Sequence, residues 1–425
     1  MKICIKRIIL HQSSASTLLY VIFVALLISL LLSSLILIEY LNFSKLNHYK
    51  KYISAIEKLE LYKTLFQSSN FNSSIEEYSR LPLGENINVD DIQIKYLDWG
   101  LYKVGVCKHA DLENRINLSK QYLIGNLIDS KCALYIANNS KAVVISGTTK
   151  IIGNIFIPLG YYKTGVVNSS EANTATPVEG LVKQSEELPK IDKELYVYID
   201  KLCNGMQFKN DSISILNKAG NLTHSFCNRT MYVKSSSAIT LDNIIMTGNI
   251  KLFSSKSITI SRNCSLSDVM IIAPYIKVEE GFKGSCQLIA TDSLIVEKNC
   301  IFDYPSALLI SSKKNSSSIM KIKEETEIDG DVVALKQIPD IKNIAFVSIE
   351  KEVKINGRIY CQDYLDNKGS VFGSIYTNKL FLNTGSAVNE NYINSMKINS
   401  KDVPNPCTLG ILFDNNQKSI IKCLP

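Results

Sequence analysis

The chain has 425 residues with 47 Lys and Arg against 40 Asp and Glu, a net charge of +7. That charge is too small and too evenly spread for a nucleic-acid binder of this length. An apolar share of 46% with 20% charged residues excludes global disorder and a multi-span membrane protein, and the length leaves room for two or three modules.

Leu18 to Ile38 reads LLYVIFVALLISLLLSSLILI, 21 residues without a charge and with only Tyr20, Ser29, Ser33 and Ser34 as polar interruptions. At about 1.5 Å of rise per residue such a run matches a hydrocarbon core of about 30 Å. A secretory signal is the competing reading, but its apolar core runs to about 7–15 residues before an A-x-A-like site, and Ile38-Glu39-Tyr40 offers none. The pattern predicts a leader over 1–15 and an uncleaved transmembrane helix over 16–38, in contact with lipid through residues 18–38. Lys2, Lys6 and Arg7 precede the span, which puts the N-terminus in the cytoplasm and the bulk of the chain on the extracytoplasmic side. Beyond it, Leu46, Tyr49, Ile53, Ile56 and Leu59 recur at steps of three and four residues, the stripe of an amphipathic stalk helix over 39–68. A leader ending at Ala15-Ser16, followed by the span and this helix, resembles the N-terminus of type IV pilin-like proteins. The resemblance implies leader removal and assembly, although Tyr20 stands where those proteins carry a glutamate.

Residues 69–130 read as a linker and a small β module. Pro82 and Gly84 mark the irregular part, and the alternation of Ile92, Ile94 and Tyr96, then Leu101, Val104 and Val106, predicts two or three short strands. WGLYKVGVC, together with ALYIANNSKAVVISGTTKIIGNIFIPLGYYKTG at 133–165, resembles an uncharacterised family of membrane-anchored proteins of Bacteroidota-type bacteria. What the resemblance implies is location and architecture only.

An apolar-x-Gly-x-apolar motif recurs five times, centred on Gly153, Gly248, Gly330, Gly357 and Gly373. Repetition at that scale predicts a structural corner where a Cβ would be blocked. A second register places Ile239/Leu241, Ile258/Ile260, Ile276/Val278 and Leu294/Val296 at steps of 19, 18 and 18 residues. Short strands at a near-constant step, each with a few inward residues, predict a parallel β-helix over 131–385. A β-sandwich would also alternate, but its hairpins favour Asn-Gly or Asp-Gly turns and have no fixed repeat length. The glycine corners also resemble those of the bactofilin-like polymerising β-helices. A polar stretch with Pro177 and Pro189 predicts an insertion over about 161–230, with a short helix near Lys190 to Asp200, and a loop of that length is the first candidate for a partner-binding surface. Residues 386–425 are left as a C-terminal segment.

With Cys4 on the cytoplasmic side, ten of the 11 cysteines remain outside, where disulfides are permitted. Cys264 and Cys300 sit at one phase two repeats apart. At about 4.8 Å per repeat they lie beyond the Cα limit of about 7 Å for a bridge. Cys286 differs in phase and leaves a bridge to either open, buried apolar thiols being the expectation. Cys107 and His109 share a strand face but supply only two ligands of the four a closed metal site wants. His11, His48 and His224 have no such neighbours in sequence, and no GxxxxGK[ST], GxSxG or HExxH occurs. The carboxylates that merit weighing are Asp329 with Asp331 and Glu279 with Glu280, acids of polar turns that are ordinarily solvated. Trp99 reads as a core anchor.

The fold expected is mainly β: an N-terminal transmembrane helix with an amphipathic stalk, then a parallel β-helix with insertions. No residue is assigned a catalytic, cofactor-binding or metal-binding role, and no cofactor is expected. The function expected is that of a non-enzymatic structural or assembly component of the cell envelope, partnered by itself or by envelope proteins. The alternative is an envelope protein that binds or cleaves carbohydrate on a β-helix face.

Overall fold

The computed structural model describes residues 3–68, 75–79, 92–111, 115–127, 131–166, 176–206, 211–214, 220–313, 316–336, 343–385, 387–403, 408–413 and 417–424. The chain divides into two units, residues 1–61 with 109–118, and residues 62–108 with 119–425.

The first unit is dominated by α1, Ile3–Gln67, an unbroken helix of 65 residues whose last turns belong to the second unit. Every residue from 17 to 46 is exposed, and the apolar window has a mean hydropathy of 3.1. This one helix is long and apolar enough to cross a membrane. Two of its serines fit that setting, because Ser33 Oγ donates to Ser29 O at 2.9 Å and Ser34 Oγ to Leu31 O at 2.7 Å, so both hydroxyl protons are satisfied within the helix. The stalk stripe is only partly realised. Leu46 and Tyr49 are 49% and 61% exposed, whereas Leu59 is buried.

The second unit is mainly β, and its largest sheet is parallel and closed. The 18-residue register holds: Ile239 pairs Ile258, Ile258 pairs Ile276 and Ile276 pairs Leu294. The same ladder continues through Met320, Val347, Leu365 and Leu380. A second ladder runs Leu252, Ile271, Leu288, Leu308, Val332, Ile359 and Ile375. A third joins Phe302, Ile328, Ile355 and Val371. These residues are buried in one aliphatic cluster, since in-register β-branched and leucine side chains on parallel strands stack at the strand spacing and exclude water from one another.

Stack order and chain order differ. After Ile375 the second ladder passes to Leu134, Ile155 and Val182, and after Val371 the third passes to Ile398, Ile151 and Val178. The N-terminal strands of the sheet therefore sit on its C-terminal strands. The stretch 161–230 is not simply an insertion, because Tyr162–Thr164, Val178–Glu179, Val182–Gln184, Ser212–Ser214 and Leu222–His224 all pair within parallel sheets. Strands of two or three residues carry one or two inward side chains, too few to show a period. Within 386–425, Tyr392–Asn394 and Lys397–Asn399 likewise join parallel ladders.

Helix α2, Lys193–Cys203, lies near the expected place. Asp192 caps it by accepting from Glu194 N at 2.9 Å, and Lys201 stands in its last turn. Leu195, Tyr198, Ile199 and Leu202 form its buried stripe and share a cluster with Met270, Ile272, Ile289 and Leu309 on the outer side of the sheet. A second sheet orders Ile75–Ser79, Ile92–Trp99, Tyr102–Asp111 and Ile116–Leu127, with Thr408–Leu409 and Lys418–Cys423 antiparallel to the last. Trp99 is a core anchor, edge-on to Phe226 at 5.0 Å. The buried Gln287 amide closes the turn after it, donating to Trp99 O at 2.8 Å and accepting from Leu101 N at 2.9 Å.

Candidate functional site

Of the four carboxylates singled out by sequence, Glu279 is half-buried and the other three have different fates. Glu280 is solvated, with Asn299 at 3.5 Å. Asp329 is held by Asn356 at 2.6 Å, and its carboxyl is pushed up by partial burial against that bond, with Glu327 and Asp303 adding to the rise. Asp331, one position past the glycine corner, is fully buried. It meets Arg358 Nε at 2.9 Å and Nη2 at 2.8 Å and accepts from Gly410 N at 2.6 Å, while Arg358 also donates to Gly410 O at 2.7 Å. The pair thus ties strand Thr408–Leu409 to the parallel sheet. It is not an acid of a solvated turn.

Cys107 and His109 are both buried, and no group of three or more metal-ligating side chains occurs among the described residues. All nine described cysteines are free thiols, with Cys264, Cys286 and Cys300 buried as the register implies. Burial pushes Cys203 and Cys361 up to about 12 and Cys300 up to about 11. These thiols are protonated and unreactive at neutral pH.

Four lysines are buried among the described residues, Lys95, Lys103, Lys251 and Lys418, and the sequence marks none of them. Lys251 and Asp211 are 3.5 Å apart with both side chains buried, and Lys95, 4% exposed, donates to Asn228 O at 3.0 Å. Burial pulls the Lys95 ammonium from 10.5 down to about 8, and Lys251 adds to the fall. The folded state therefore gives up this proton near pH 8 and the unfolded chain near pH 10.5. The cost to folding is full below the lower value and fades as pH rises toward the upper one. Lys95→Met is expected to raise stability at pH 7 by about 1 kcal/mol, a gain that disappears by strongly alkaline pH. Urea unfolding of both proteins across that pH range checks it.

Two concavities among the described residues lie beside α2. The segment before the helix, 185–192, crosses the outer side of the parallel sheet and is pinned along its length. Tyr135 Oη accepts from Glu186 N at 3.1 Å and donates to Glu187 O at 2.9 Å. Tyr360 Oη donates to Pro189 O at 2.8 Å, and Asp192 N to Leu412 O at 2.9 Å. On one side of this strap is a groove of about 900 Å³ walled by Leu188, Ile191, Tyr196 and Val197, with Asn138, Gln362 and Asn378 opposite. On the other side a cavity of about 560 Å³ is lined by Lys103, Asn126, Phe413 and Lys418. Lys190 and Lys193 border both. The groove is lined by amides, tyrosines, lysines and Glu187 beside its aliphatic wall, groups that can bind and orient a ligand. Burial pushes the Tyr196 hydroxyl up to about 12, with Asp200 adding to the rise, which keeps it a neutral donor.

Sequence reasoning marked the helix and Pro189 but missed the wall contributed by Asn138 and Asn378, which are far away along the chain. No protein-family model matches the chain, and no match to it was found among curated proteins or among solved structures.

Proposed function

We propose that this chain is a single-pass envelope scaffold, non-enzymatic, with its N-terminus in the cytoplasm and its β units on the extracytoplasmic side. In this reading residues 18–38 of α1 lie in lipid, and the three ladders are the faces of a parallel β-helix that packs with copies of itself or with envelope proteins. The observation that carries it is the unbroken helix that leaves residues 17–46 exposed and ends against the second sheet: Phe66, near its last turn, stacks on Tyr96 at 5.6 Å. An apolar face left bare over that length needs lipid around it. The alternative, a carbohydrate-cleaving protein, would need an open acidic cleft at Asp329 and Asp331, and Asp331 is sealed under Gly410 by Arg358.

Topology is tested with a membrane-impermeant maleimide, because Cys423 is exposed and Cys4 lies in the leader. In intact cells stripped of any outer barrier, Cys423 is expected to react and Cys4 only after lysis. Labelling in the reverse order, or recovery of the intact chain in the soluble fraction, would overturn the proposal. A chain lacking residues 18–38 is expected to leave the membrane fraction.

A further inference from the structure

We propose that the groove beside α2 takes an extended segment of a partner protein in which an apolar side chain is flanked by acidic ones. The inference rests on the scaffold reading only in taking the occupant to be a protein.

The wall is aliphatic where it is open. Val197, on α2, is 52% exposed, and Leu188 and Ile191 of the strap lie beside it. The opposite wall offers polar arms held from behind. Asn138 Oδ1 accepts from Ser140 N at 3.0 Å, which fixes the amide with Nδ2 unused. Asn378 Nδ2 donates to Gln362 O, which fixes that amide with Oδ1 unused. These bonds settle the orientation of both amides. One anchored donor and one anchored acceptor are the complement of a backbone C=O and N–H, so an extended chain can be bound by its main chain while one side chain fills the aliphatic wall.

Charge selects among such chains. Three lysines and one glutamate border the groove. Lys336 is engaged by Asp363 at 2.9 Å and Lys190 by Glu187 at 3.6 Å, which leaves Lys193, exposed in the first turn of α2, as the cation at the groove, its neighbours Asp192 and Glu194 lining the other cavity. A saccharide fits less well. Sugar rings bind by stacking on open aromatic faces, and of the two tyrosines at the groove Tyr360 is 1% exposed with its hydroxyl already donated to Pro189 O, while Tyr196 is only partly exposed.

The test uses the full chain in lipid nanodiscs and a fluorescein-labelled heptapeptide with a leucine between aspartates, read by anisotropy. Saturable binding is expected, weakened at least about tenfold by Val197→Glu and by Lys193→Glu and reduced by salt. Both positions are exposed, so melting temperatures should not move. Peptides with lysine in place of aspartate, or glycine in place of leucine, should bind at least about tenfold more weakly. Absence of saturation, equal binding by wild type and Val197→Glu, or displacement of the peptide by an acidic trisaccharide would overturn the proposal. The maleimide experiment separates the two readings: a chain that binds the peptide yet labels with the wrong topology loses the scaffold assignment and keeps the groove.

Discussion

Gly357→Ala is expected to destabilise the parallel sheet by about 3–5 kcal/mol, or to prevent its folding, as judged by urea or thermal unfolding followed by circular dichroism. Gly330, Gly357 and Gly373 occupy one register position on three successive strands. A Cβ on Gly357 would lie 1.9 Å from Gly330 O, well inside contact distance. Its φ of +159° adds a conformation that side-chain-bearing residues rarely adopt. The obstacle is main chain of the neighbouring strand, itself fixed by ladder hydrogen bonds, so relief requires breaking register and not merely turning a side chain. Gly281→Ala is the control. Gly281 has φ +79° and open space where the Cβ would go, so only the left-handed backbone cost of about 1–2 kcal/mol should appear. Equal losses at the two sites would mean that backbone conformation, and not close approach, is why glycine recurs.

That corner was legible because it repeats. The motif at Gly153, Gly248, Gly330, Gly357 and Gly373 recurs five times, at the last four a Cβ would meet a backbone carbonyl, and the isoleucine and leucine positions 18 residues apart pair as their spacing implies. Legibility fails where an element is too short or a partner too distant. Val178–Glu179 has a single inward residue, and nothing in it announces that it stacks on Ile151. The passage of a ladder from Ile375 to Leu134 joins residues separated by most of the chain, so no local period can record it. The groove suffers in the same way. Its helix, with Asp192 as cap and a stripe from Leu195 to Leu202, is readable, but Asn378 becomes its opposite wall only through the sheet. Asp331 is the sharpest case, since an acid two positions from another acid in a glycine turn looks solvated, and the arginine that buries it is 27 residues away.

Arg358→Met is expected to cost about 3–5 kcal/mol because it leaves the Asp331 carboxylate buried with Gly410 N as its remaining donor. Burial already pushes this carboxyl upward, while Arg358 and the Gly410 amide hold it back. Without the guanidinium the folded protein would take up a proton at higher pH than the unfolded chain does. A raised folded value gives stability that is complete below the unfolded value and lost as pH climbs through the folded one, so the deficit of the variant should be smaller at pH 5 than at pH 8. Asp331→Asn in the same background should restore part of the loss at pH 8 and abolish the pH dependence, because a neutral amide needs no counter-charge. The strand that follows supplies a second readout. Gly410 is bonded to both members of the pair, so amide exchange over Thr408–Leu409 should accelerate in Arg358→Met before the parallel ladders open. A pH-independent deficit, or unchanged exchange at those amides, would mean that the ion pair contributes packing volume alone and that the C-terminal strand is held by its antiparallel pairing to Ile116–Leu127.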